Sequence, residues 1–170
     1  MTLAELNAMD RAAFVATLGG VFEHSRWVAE RAFAARPFAS VEALHRAMAG
    51  AMHAASAGEK LALIRGHPEL AGRAMVRDAL TADSSAEQSG AGLTQCSPAE
   101  FARLTDLNAR YNAKFGFPFI LAVKGCDRAG VIAEFARRLE RDADAEFAEA
   151  LAQIARIAQF RLAEKLPDDA

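Results

Sequence analysis

Apolar residues recur with a helical period along most of the chain. Phe14, Leu18, Val21 and Phe22 stand at i, i+4, i+7 and i+8, one face of an amphipathic helix that Asp10 can open. Gly19 and Gly20 weaken its middle and mark a place where it can break. Ser25 begins a second helix, through Trp27 and Val28 to Phe33, which stops before Pro37. Ser40 caps a third, with Leu44, Met48 and Met52 as its stripe. Ser56 and Glu59 form a capping box ahead of Leu61 and Ile64, in a helix that ends at Gly66, and a further helical stretch is predicted from Glu69 to about Leu80. Ser97-Pro98-Ala99-Glu100 is the clearest start signal: a cap, then Pro at the first helical position, then Glu at the third. Phe101, Leu104, Asn108, Tyr111 and Phe115 then share a face until Gly116 and Pro118. Asp127 opens a helix through Ile132, Phe135 and Leu139, and a last helix runs from about Asp144 to Lys165.

Residues 119–123 have the composition of a strand. No other stretch offers itself as a partner, and an isolated strand cannot satisfy its own peptide groups. The expectation is a buried helical turn or an extended segment. The pattern predicts an all-α protein, a single domain over residues 1–170 built as a bundle of about eight helices, with no sheet, repeat or linker.

Composition narrows the partners. Apolar residues make up 52% of the 170 positions, enough for a core that buries roughly 70% of the unfolded surface. The longest apolar stretches, such as residues 117–123, fall far short of the ~20 residues of a membrane span. The opening MTLAELNAMD lacks the basic region and apolar core of a secretory signal, and the closing PDDA is no peroxisomal tripeptide, so the cytoplasm is the expected compartment. The 20 basic residues are interspersed with 22 acidic ones, and one Trp and one Tyr offer little for base stacking, so neither nucleic acid nor membrane is expected as a partner. Cys96 and Cys126 read as two reduced thiols. His24, His45 and His53 show neither i, i+4 pairing nor an HExxH pattern, so no metal site is expected.

Three features sit oddly in a plain helical protein. On the last helix Phe147, Leu151, Ile154 and Ala158 define the apolar stripe, and at about 100° per residue Arg161 falls on it, between Ile154 and Ile157. A core-facing arginine either snorkels, pairs in a structural salt bridge, or aims its fork at a ligand carboxylate or carbonyl. His67 stands between Gly66 and Pro68 at a helix break; it is an ordinary loop histidine or a general acid or base. In residues 83–93, Ser84-x-x-Glu87 and Ser85-x-x-Gln88 each read as a capping box, so spacing alone says only that a helix starts there.

Taken together, several of these segments resemble a known family. Gly66-His67-Pro68-Glu69-Leu70-Ala71-Gly72, the stretch from Ser84 to Leu93, Leu107-Asn108-x-x-Tyr111-x-x-Lys114-Phe115-Gly116-Phe117-Pro118-Phe119-Ile120 and Ala122-Val123-Lys124-Gly125 are similar to the OHCU decarboxylases, which act on 2-oxo-4-hydroxy-4-carboxy-5-ureidoimidazoline. The last helix, with Ile154, Ile157 and Arg161-Leu162, is similar too. The likeness extends from Phe14 to Leu166, and the order of several motifs makes it more specific than any one of them.

The resemblance implies an all-helical homodimer that needs no cofactor and converts OHCU to (S)-allantoin and CO2. It implies His67 and Glu87 as catalytic residues. It also implies substrate contacts from Pro68, Ser84, Gln88, the backbone of Phe119, Ile120, Leu121, Ala122 and Val123, and Arg161. Two rival readings remain at this stage. One is a decarboxylase or proton-transfer enzyme for a related carboxylated heterocycle; the other is a non-catalytic helical ligand-binding module.

Overall fold

The computed structural model describes residues 1–71 and 81–167. Among these the chain forms nine α-helices and two short 3-10 helices, with no strand. In order they are α1 (Leu3–Ala8), α2 (Arg11–Leu18), α3 (Arg26–Ala32), α4 (Val41–His53), α5 (Ala57–Gly66), α6 (Ala82–Gly90), α7 (Pro98–Phe115), α8 (Arg128–Leu139) and α9 (Ala143–Lys165). The all-α class is the one the hydrophobic pattern predicts.

Side chains close the starts that the sequence marks. Asp10 accepts from the Ala13 N–H at 2.8 Å, Ser40 from Ala43 at 3.1 Å, Ser97 from Glu100 at 3.2 Å and Asp127 from Gly130 at 2.7 Å. Each satisfies a donor that the first turn leaves without an intrahelical partner, worth about 1 kcal/mol. α2 stops at Gly19, and Gly116, at φ 75°, ends α7 in the left-handed conformation a glycine adopts without strain. Ser25 precedes α3 without a side-chain cap hydrogen bond.

Three expectations change. α1 was not foreseen; Thr2 and Glu5 form its capping box, but six residues with only Leu3 and Leu6 buried are too few to show a period. The capping boxes at Ser84 and Ser85 are not formed. Thr81 is the cap, accepting from the Ser84 N–H at 3.3 Å, so α6 begins three residues earlier and Ser84 lies within its first turn. The helical stretch expected from Glu69 begins instead as a loop and turn at 69–71, and 72–80 lies outside the described residues.

The chain divides into two compact units, Met1–Gly66 with Ile154–Ala170, and His67–Gln153. In the first, α3 packs against α2 and α4. The Phe14 ring meets Phe33 edge-on at 5.4 Å, and Leu44, Met48 and Met52 are fully buried along α4. Arg36 closes α1, donating to the carbonyls of Asn7 at 2.9 Å and Met9 at 2.6 Å while its guanidinium lies over the Phe33 ring.

In the second unit α7 packs on α8. Tyr111 sits in a cage of Phe115, Phe117, Phe119 and Phe135, with ring centres 4.5–6.0 Å away, and Phe119 stacks on Phe135 at 3.9 Å. Residues 118–123 form neither helix nor strand, which sets aside the helical turn. Rings bury this stretch, and its peptide groups need partners other than a ladder. No helix among the described residues is long and apolar enough to cross a membrane.

Candidate active site

His67 directly follows α5, at a bend, and is 6% exposed; Pro68 is half-buried. Two residues on, the chain turns at Leu70-Ala71, with Ala71 at φ 48°. For a residue with a Cβ that conformation costs on the order of 1–2 kcal/mol, so something has to hold it. Gln88 of α6, 2% exposed, accepts the Ala71 N–H on Oε1 at 2.9 Å and donates from Nε2 to the Glu69 carbonyl at 3.3 Å. Asn108 of α7 donates to the Leu70 carbonyl at 2.9 Å, and Asn112 donates to Glu69 Oε1 at 2.6 Å. Two helices therefore clamp the corner that carries His67-Pro68.

α6 presents the other expected side chains. Ser84 and Gln88, four residues apart, are buried on one face, and Glu87 is half-buried beside them. Gln88 has its carbonyl oxygen and one donor engaged with the protein's own backbone, so its observed work is to fix the corner.

In the segment 119–123, Phe119, Ile120, Ala122 and Val123 are buried and Leu121 is half-buried. Arg138 of α8 donates from Nη1 to the Ile120 carbonyl at 2.6 Å, with its guanidinium 4.5 Å from the Phe119 ring centre. Gln153 of α9 accepts the Ala122 N–H at 3.0 Å. Arg138 is fully buried and pairs through Nε and Nη2 with Glu146, also fully buried, whose same oxygen accepts from the Tyr111 hydroxyl. Burial, and then that carboxylate, push the Tyr111 hydroxyl well above the usual phenol range.

Arg161 lies in the first unit. It is 3% exposed, and its Nη1 stands 2.5 Å from Glu23 Oε2 and 3.4 Å from the carbonyls of Gly20 and Val21. The structural salt bridge that periodicity allowed is present. Glu23, 4% exposed, has φ 51°, so this buried pair includes a strained backbone.

Sequence reasoning passed over Glu23, Asn112, Arg138 and Glu146. Arg138 had the same signal as Arg161: with Val131, Phe135 and Leu139 it occupies i, i+4, i+7, i+8 of one stripe. Among the described residues no group of three His, Cys, Asp or Glu is placed to hold a metal. A cavity of about 430 Å³, lined by Gly90, Gly92, Glu100, Cys126 and Arg128 among others, contains none of the expected site residues.

The sequence profile of the OHCU decarboxylases matches residues 7–163. The chain belongs to the OHCU decarboxylase family. One relative within reach is the 2-oxo-4-hydroxy-4-carboxy-5-ureidoimidazoline decarboxylase of Haloferax volcanii, 40% identical over 99% of this chain and 98% of the relative. The uric acid degradation bifunctional protein PucL of Bacillus subtilis is 44% identical over 96% of this chain, which spans only 32% of PucL. Among solved structures, (S)-allantoin synthase superposes with a TM-score of 0.78 at 30% identity, covering 98% of this chain and 54% of that one. An OHCU decarboxylase crystallised in the presence of (S)-allantoin superposes at 0.73; at 20% identity, over 89% of this chain and 99% of that one, it supports the fold alone.

Proposed function

We propose that this chain decarboxylates OHCU to (S)-allantoin and CO2 in urate breakdown, with residues 1–170 acting as one catalytic domain. The observation that carries this reading is the family match over residues 7–163, which takes in every site residue named above. The clamped corner at His67-Pro68 supports it, because a general acid or base works only when held in place.

Loss of CO2 leaves an electron pair on carbon. In OHCU the carboxylate sits on a carbon next to a C=N bond, so the ring takes up that pair and its nitrogen gains a proton. The resulting enol then gives up its hydroxyl proton and gains one on the ureido-bearing carbon, which fixes the stereochemistry. The tasks left to the protein are orientation, stabilisation of developing charge, and delivery of a proton to one face. His67 handles the proton at the 4-hydroxyl or at the enol, with Glu87 beside it. Ser84, Gln88, Pro68 and the 119–123 backbone contact the ureido and ring groups. Arg161 anchors the substrate; a guanidinium has five N–H donors, so it can serve Glu23 and a ligand at once.

The same reading makes the protein a cytoplasmic homodimer that uses no cofactor and engages neither nucleic acid nor membrane; the family resemblance supports the dimer and the cofactor-free reaction, and the mixed charge and short apolar stretches support the rest. To test the function, OHCU is generated enzymatically from urate and optically active allantoin is followed. Uncatalysed decay gives racemate, so wild-type protein yields an excess of the (S) form. His67→Ala reduces that excess by about 10²-fold or more in rate. A wild-type rate in His67→Ala removes His67 from the chemistry.

A further inference from the structure

Arg138, Glu146 and Tyr111 take no part in the chemistry above, yet all three are fully buried. Charges in a protein interior cost several kcal/mol each in lost hydration, and apolar residues of the same volume often fill the space at least as well. The reason for charge here lies in where the third arm of the arginine goes. Nε and Nη2 are held by Glu146, and Nη1 reaches the Ile120 carbonyl. Lysine could not span two acceptors in this way, because it lacks the planar fork.

Gln153 does the matching work from the next helix. Its Oε1 takes the Ala122 N–H, and its Nε2 is braced by Glu149 at 2.8 Å. Two peptide groups, two residues apart, are thus pinned by side chains from α8 and α9. The residue between them is Leu121. It is the one half-exposed position in a run whose other members are buried, and its N–H and C=O have no partner among the described residues.

We propose that Arg138 and Gln153 are positioning residues for substrate recognition. By fixing Ile120 and Ala122 they set the Leu121 N–H and C=O as a rigid donor–acceptor pair. The ligand group that fits such a pair carries an N–H beside a C=O, as ureides and lactams do. This rests on the assignment of residues 119–123 to the substrate. The gain is preorganisation: a backbone already held does not lose freedom on binding.

The test is steady-state kinetics on OHCU with three proteins: wild type, Gln153→Leu, and the double variant Glu149→Gln/Gln153→Glu. Gln153→Leu keeps length and helix propensity at a half-buried position while removing the acceptor. Its KM rises about three- to tenfold, the equivalent of one ordinary hydrogen bond, with kcat close to wild type, while the loss of the acceptor for the Ala122 N–H lowers Tm by a few degrees. The double variant restores an acceptor toward Ala122 with its brace reversed, and returns KM to wild type. A merely structural role would lower Tm or the active fraction and leave KM alone, so an unchanged KM in Gln153→Leu overturns the proposal, as does a double variant that fails to recover. Wild-type protein that gives no excess of (S)-allantoin overturns the function itself, and that outcome is read separately in the same assay.

Discussion

Replacing Glu23 by glutamine keeps its shape but removes the charge that faces Arg161. Both side chains are nearly inaccessible, 2% and 3% exposed, so water does little to compensate either one. Removing one partner of such a pair costs about 3–5 kcal/mol, since the other charge stays buried and loses this counter-charge. Glu23→Gln retains an acceptor oxygen and falls toward the low end; Arg161→Met removes the guanidinium that the buried carboxylate faces and falls toward the high end. Together the single losses sum to about 6–10 kcal/mol, whereas the double variant removes both charges of the pair and loses about 1–3 kcal/mol. For a chain of this size each kcal/mol moves Tm by about 2–4 °C, so each single variant melts about 6–20 °C lower. Urea unfolding followed by fluorescence reads this directly, because Trp27 is the only tryptophan and lies in the same unit as the pair. Single variants within about 1 kcal/mol of wild type, or a double loss equal to the sum, would refute the buried-pair argument.

Tyr111 is the only tyrosine, so absorbance near 295 nm reports it alone. Its raised folded pKa means the neutral hydroxyl is favoured by the fold, a contribution fully present below about pH 10 and lost above it. No ionisation step is expected near pH 10 while the protein stays folded; a step there with a native near-UV spectrum contradicts the buried cage. Glu59 behaves in the opposite sense: hydrogen bonds from Arg31 and then Ser56 hold its carboxyl down at about 2, against an ordinary 4.5. Its contribution is present above pH 4.5 and disappears as pH falls to about 2, so the small Tm difference between wild type and Glu59→Gln closes over that window. A difference constant from pH 7 to 2 would show that the charge is irrelevant.

Helix starts and stops were legible because they depend on a few adjacent residues. Ser97-Pro98-Ala99-Glu100 and Gly116 define α7 from both ends without reference to any other element. α6 was placed late because serines offered two attractive caps inside a helix that Thr81 had already opened. What escaped was pairing at a distance. Arg161 could be seen to need a partner, but nothing local says that the partner is Glu23, 138 positions earlier, on a turn whose left-handed backbone no propensity favours in glutamate. The residues that clamp the His67 corner were hidden for a similar reason. Asn108 falls on the shared face of α7 and Asn112 next to it, but nothing local says that both meet the 69–71 turn.

The first unit is built from two stretches of sequence separated by the whole of the second. A ribosome makes the chain in one direction, so the 66 N-terminal residues emerge while Arg161, which pairs with Glu23, and Ile154, Ala158 and Leu162 are still unmade. The second unit is continuous, and all its members exist before the last turns of α9 leave the exit tunnel. Synthesis order therefore favours the continuous unit as the earlier to mature, with the discontinuous one completed by the end of the final helix. Losing a few residues around Arg161 would then harm the beginning of the protein more than its middle, although they lie near the opposite end of the sequence.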